Sequence, residues 1–205
     1  MVTNDERDTE LYRYPNSDVL RNLKDIRDAA ALEKWELTVV TARIEQGVPS
    51  GDFDLNHLKA IHKHLFQDVY PWAGEIRQTD IAKTTWFHSH DRIEMGMADV
   101  HRHLVESDYL QGLSRKEFAG QAGEIIGNVN FCHSFREGNG RTQFQYLKQL
   151  GERAGHSIDL TRFKRDTWIE ASIDANRAKY EKMASCIDGA ISRSRGLGRG
   201  SGMSL

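Results

Sequence analysis

Apolar residues recur three or four positions apart along most of the chain, the spacing of one helix face. Over 29–46, Leu32, Trp35, Val39 and Ala42 form such a stripe, which Gly47 stops. Asp54 caps a second helix carrying Leu55, Leu58, Ile61, Leu65 and Val69 as far as Pro71. The pattern returns over 93–108 and over 115–131, where Phe118, Ala122, Ile125, Ile126 and Val129 share a face. It returns again from about 141 through Leu147, Leu150 and Ala154 to Gly155, and from Asp166 or Thr167 to about 191. Ser17 or Asp18 is placed to cap a short helix before Val19 and Leu20. Residues 76–93 carry no helical stripe, are rich in Thr and Ile, and predict a short β-hairpin. Residues 1–10, polar and charged, predict a flexible lead-in, and 192–205, alternating Gly, Ser and Arg, a disordered tail. The reading is all-α: seven or eight helices in one domain over 11–191, with one small hairpin.

Composition narrows the function classes. With 28 Lys and Arg against 30 Asp and Glu the formal net charge is −2, which argues against direct nucleic-acid binding, whose footprint is basic. Neither a long apolar run nor an apolar N-terminal segment is present, so a soluble, cytoplasmic chain with no membrane partner is expected. Two cysteines, Cys132 and Cys186, cannot build a disulfide framework and suit a reducing compartment.

Chemistry concentrates in His133-Ser-Phe-Arg-Glu-Gly-Asn-Gly-Arg141, where an apolar helix ends at a histidine and a glycine-rich loop opens the next helix. Gly138 and Gly140 allow positive φ and close backbone approach, so successive N–H groups can form an anion-binding nest at a helix N-terminus. Arg141 adds a bidentate cation. Glu137 suits a hard divalent cation bridging phosphate oxygens. His133 suits a general base. Gly-Asn-Gly alone is an ordinary turn; base, carboxylate, nest and arginine within nine positions form the inventory of nucleotidyl or phosphoryl transfer. The pairs His62/His64, His88/His90 and His101/His103 look like metal pairs but lack further ligands, and Cys132 diverges from its neighbour His133 on a helix.

The stretch HSFREGNGR at 133–141 resembles the signature of Fic-domain proteins, H-[PX]-F-x-[DE]-G-N-[GK]-R. Tyr12-x-Tyr14-Pro15 followed by VLRN, the segment DVYPWAG at 68–74 with Arg77, and the hairpin are similar to short bacterial Fic toxins, so the resemblance covers most of 11–190. It implies that His133 deprotonates a target hydroxyl, which attacks the α-phosphate of ATP, leaving AMP on a Tyr, Thr or Ser. It further implies that Phe135 anchors the loop, Glu137 holds Mg²⁺, Gly138, Asn139 and Gly140 bind phosphate oxygens, and Arg141 steadies the β-phosphate end. Gly140, where other members carry lysine and phosphorylate, favours AMP transfer. The hairpin resembles the family's flap, with Lys83 and Thr84 toward ATP and Thr85, Trp86 and Phe87 toward a docked target segment. In such toxins the implied targets are DNA gyrase and topoisomerase IV, and a separate small antitoxin supplies an inhibitory helix.

Two positions depart from the pattern. Ser134 stands where proline is usual, and Phe144 where most members have a second arginine that holds the γ-phosphate. The second departure keeps two rival readings open: transfer of another group such as UMP or phosphate, and a catalytically weakened domain that binds proteins.

Overall fold

The computed structural model describes residues 3–192. Its elements are α1 (Asn4–Tyr12), α2 (Ala29–Glu45), α3 (Leu55–Phe66), α4 (Ile93–Glu106), α5 (Arg115–Cys132), α6 (Asn139–Ala154), α7 (Arg165–Ala175) and α8 (Glu181–Ala190). Single 3₁₀ turns at His90–Arg92, Asp108–Leu110 and Leu160–Arg162 join some of them. Extended pairing among the described residues is limited to three antiparallel bridges, Arg13 with Leu20, Ala82 with Trp86 and Ile158 with Ile191. The all-α class holds, and the expected hairpin is reduced to the Ala82–Trp86 bridge closed by a Lys83 N–H donating to the Thr85 carbonyl at 3.1 Å.

α5 is the axis. A Ser114–Glu117 capping box starts it, and Phe118, Ala122, Ile125, Ile126 and Val129 are buried on several sides at once because α4, α6, α7 and α8 all pack on it. Gly123 makes the approach of α8 possible: a Cβ there would sit 2.8 Å from the Ala184 backbone nitrogen. The cap foreseen for α3 forms, Asp54 accepting the His57 N–H at 2.8 Å, and Asp28 caps α2 in the same way at 2.8 Å.

Three expectations are corrected. The loose lead-in expected over 1–10 does not hold from Thr3 onward: Thr3 and Glu6 form a reciprocal capping box, and α1 follows. Asp8 on α1 is only 6% exposed. It takes a bidentate pair from Arg136 (2.6 and 2.9 Å), a further contact from Arg13 at 3.0 Å and the Thr79 hydroxyl at 3.0 Å. Ser17 and Asp18 cap no helix; the Ser17 hydroxyl instead accepts from the Val19 N–H at 3.1 Å in a turn. The last helix is two, because the apolar face of α7 (Trp168, Ala171, Ala175) is out of phase with that of α8 (Met183, Ile187, Ala190), and Ala178 at φ 56° turns the chain between them. The tail expected over 192–205 lies, apart from Ser192, outside the described residues.

Replacing Asp8 with alanine strips the partly buried Arg136 of its carboxylate partner and leaves Arg13 with Asp5 and Asp18 alone. It should lower unfolding stability by about 1–3 kcal/mol in urea titrations, with Asp8→Asn intermediate.

Candidate active site

His133 is the C-cap of α5, in a left-handed conformation at φ 42° and ψ 58° that directs the chain out of the helix and into the motif loop. The last carbonyls of α5 lie at the negative end of the helix dipole with no intrahelical donors. The fully buried Arg77 fills that need. Its Nε donates to the His133 carbonyl at 2.9 Å, Nη2 to the Cys132 carbonyl at 3.2 Å and to the His88 carbonyl, and Nη1 to the Thr79 carbonyl at 2.7 Å. Its backbone N–H donates to the Ser134 carbonyl at 2.9 Å.

The His133 ring, 7% exposed as a residue, stacks on Phe87 with centroids 3.7 Å apart and planes 17° apart. Its Nδ1 lies 3.3 Å from the Asn130 carbonyl. A carbonyl can only accept, so Nδ1 carries the proton and the lone pair falls to Nε2. Burial, and then the charge of Lys83, push the imidazole down to about 3, so it is neutral across the physiological range.

The loop after His133 is locked from within. Asn139 accepts the Phe135 N–H at 2.9 Å and donates to the Phe135 carbonyl at 2.6 Å. Its side chain is therefore spent on the loop, and its backbone N–H is what faces outward at the helix start. Phe135, fully buried, stacks on His62 with centroids 3.8 Å apart. His62 accepts the Gly74 N–H on Nδ1 at 2.8 Å and donates from Nε2 to the Glu137 carbonyl at 3.0 Å, which fixes both its tautomer and the loop. Gly138 opens α6 at φ 82°, and a Cβ there would lie 2.4 Å from the buried Phe66 ring. The first helical bond of α6 runs from Thr142 to the Gly138 carbonyl, so the N–H groups of Asn139, Gly140 and Arg141 have no carbonyl a turn behind them. Backbone donors open in this way at a helix N-terminus are the kind of group that can receive an anion.

Glu137 is half exposed and accepts the Gly138 N–H on Oε1 at 2.8 Å. Arg141 lies 3.6 Å from that carboxylate, 2.5 Å from the buried Glu36 of α2, and over the Phe66 ring at 4.8 Å. Tyr70 donates to the second oxygen of Glu36. Three adjoining cavities open on this ground. One of about 360 Å³ is lined by His133, Gly140, Lys83, Thr84, Thr85 and Phe87 together with Asn130, Gln143 and residues of α7. A second, of about 460 Å³, holds Glu36, Tyr70, Glu137 and Arg141, and a third, of about 270 Å³, lies between α1, Asp80–Lys83, His133 and Glu137.

Comparison with known proteins identifies the arrangement. Residues 52–150 match the profile of the Fic/DOC family. The chain is 36% identical over 162 residues to the probable protein adenylyltransferase y4lH of Sinorhizobium fredii, covering 78% of this chain and 84% of that protein. The chain belongs to the Fic/DOC family. Another Fic relative, protein adenylyltransferase VbhT of Bartonella schoenbuchensis, is 39% identical over 186 residues, 89% of this chain; the chain spans only 39% of VbhT. The N-terminal Fic domain of a VirB-translocated effector from Bartonella quintana, solved with bound ADP, superposes with a TM-score of 0.80 at 27% identity, covering 89% of this chain and 94% of that one.

Within this Fic domain the expected site residues converge, with distinctions the sequence did not give. His133, Gly140, Lys83, Thr84, Thr85 and Phe87 share one cavity; Trp86 does not line it and stands 69% exposed on the flap. Asn176, at the end of α7, donates to the Thr85 hydroxyl at 2.9 Å and accepts from Asn130 at 3.0 Å, tying the flap over the site. Ser134 is buried, and its hydroxyl has no partner among the described residues. Phe144 packs against Phe163 and Trp168. Among the described residues no group of three His, Cys, Asp or Glu could hold a metal, and burial pushes the Cys132 thiol up to about 12, out of reach of nucleophilic use at neutral pH. His62, Glu36 and Asn176 were missed. His62 carried a signal, a polar residue on the apolar stripe Leu58, Ile61, Leu65 of α3.

Gly138→Ala adds a left-handed strain to a clash with Phe66 and should destabilise by roughly 2–4 kcal/mol in chemical denaturation, with loss of nucleotide binding. His57, His62 and His133 are all held below their ordinary 6.5 by burial. The unfolded chain takes up protons at about 6.5 that the folded chain refuses down to about 3 at His62 and His133, so stability is lost as pH falls through that window. Thermal melts should show a Tm that is flat above about pH 7 and declines toward about pH 5, with a shallower decline in His62→Asn relative to its own value at neutral pH.

Proposed function

We propose that this chain transfers AMP from ATP to a hydroxyl of a target protein in the cytoplasm. The observation that carries this is a neutral imidazole, His133, whose Nδ1 is occupied by Asn130 and whose Nε2 is the free base, in the same cavity as the open first turn of α6. The target oxygen attacks the α-phosphorus, the bond to the bridging oxygen of the β-phosphate breaks, pyrophosphate leaves, and the hydroxyl proton passes to His133. Negative phosphate charge brought beside the ring raises its proton affinity from the low value that burial imposes.

The N–H groups of Asn139, Gly140 and Arg141 meet phosphate oxygens. Glu137, a half-exposed oxygen donor bordering two of the cavities, fits Mg²⁺ and would hold it. Held there, it would supply positive charge to offset that of the phosphates. Lys83 and Thr84 border the nucleotide, and the exposed Trp86 offers an apolar contact for a target segment added along the flap edge. The names of the relatives y4lH and VbhT, both adenylyltransferases, support the reaction class. The toxin reading, with DNA gyrase or topoisomerase IV as target and a small separate antitoxin as inhibitor, is the form of this proposal to test first.

Purified chain is incubated with Mg²⁺, gyrase or cell lysate, and ATP labelled on either the α- or the γ-phosphate. Protein labelling from the α-phosphate alone is expected, reduced roughly a hundredfold to ten-thousandfold in His133→Ala. Glu137→Gln should lower it sharply and shift its Mg²⁺ dependence. Label from the γ-phosphate would replace AMP transfer by phosphorylation. Nucleotide binding with no transfer would leave the domain as a protein-binding module.

A further inference from the structure

A bound triphosphate brings about four negative charges, which the cleft must meet with cations not already neutralised. Most of those at hand are neutralised. Arg136 is engaged bidentately by Asp8, Arg13 by Asp5, Asp8 and Asp18, and Arg141 by Glu36 with Glu137 behind it. Among the described residues lining the three cavities, two cations have no carboxylate within 4 Å, Lys83 and Arg165. Lys83 borders the two cavities that share His133. Arg165 borders the His133–Gly140 cavity and also the Glu137–Arg141 cavity, which Lys83 does not line.

Its placement is built rather than incidental. Arg165 is the first residue of α7, and the aromatic residues on either side of it in sequence, Phe163 and Trp168, pack on Phe144 of α6 with ring centroids 4.9 and 4.8 Å away. Phe144 lies one turn beyond Arg141 and brings no charge itself; it docks the start of α7 on α6 so that the cation of α7 serves the cleft. Resting on the AMP-transfer reading above, we infer that Arg165 binds the β,γ-phosphate end of ATP and is the residue that distinguishes ATP from AMP in this chain.

Calorimetric titration of the full chain with a non-hydrolysable ATP analogue and with AMP, in the presence of Mg²⁺, tests this. Arg165→Ala should weaken binding of the ATP analogue by roughly tenfold or more and leave AMP binding within about twofold, and Arg165→Lys should fall between. Because Arg165 is exposed, the variants should keep the parent's circular dichroism and melting temperature. Equal affinity of parent and Arg165→Ala for the ATP analogue overturns the assignment alone. So does a parallel loss of ATP analogue and AMP, which would make Arg165 a wall of the nucleoside cavity. Failure of the unaltered chain to bind either nucleotide overturns the AMP-transfer reading, and this assignment with it.

Discussion

The site depends on one buried cation. Arg77 carries its charge into the core with, among the described residues, only Asp80, 3.7 Å away, as a carboxylate neighbour. What holds it there is a ring of carbonyl oxygens at the spent end of α5 and on the flap. Burial works against the charge, and the concentrated negative end of the helix dipole works for it. Because the same guanidinium grips the His133 carbonyl and the carbonyls of Thr79 and His88, the base and the two ends of the flap are set by a single group. Their relative position is therefore tied to one buried group.

Around that cation the loop is held by neutral groups that each do two things. His62 is a hydrogen-bonded bracket between Gly74 and Glu137 and also the aromatic partner of Phe135. Asn139 closes the loop on Phe135 and starts α6. The charge at the phosphate end follows a different plan: Glu36, braced by Tyr70, pre-positions Arg141 before any nucleotide arrives. That pairing orients the arginine and at the same time reduces what it can offer a phosphate.

Much of this was legible in the chain. Helices α2 to α6 follow from stripes and caps, and the reacting groups follow from nine consecutive residues. The remainder was hidden for identifiable reasons. α1 has no apolar stripe, and its only sign was the Thr3–Glu6 capping spacing in a stretch of charges. The break before α8 contains neither glycine nor proline, so only the change of apolar phase reveals it. The flap owes its place to Asn176 and Phe87 and not to a strand ladder, and period-two patterning cannot show that. Arg77 and His62 act on the loop from 56 and 75 residues away, distances over which a sequence shows which residues exist but not whom they meet.

The docking of α1 has a consequence for how the molecule comes into being. Asn4 and Asp80 exchange two backbone-to-side-chain bonds across 76 residues, and Asp8 reaches Arg136 across 128. Helix α1 is thus completed by partners made long after it, and its ordering must wait for a large loop to close. A nascent chain cut short before residue 136 holds α1 to α5 but lacks both the Arg136 partner of Asp8 and the greater part of the motif loop. Asp8 gains Arg136 only as the motif is being completed, so the brace and the loop it steadies become whole together.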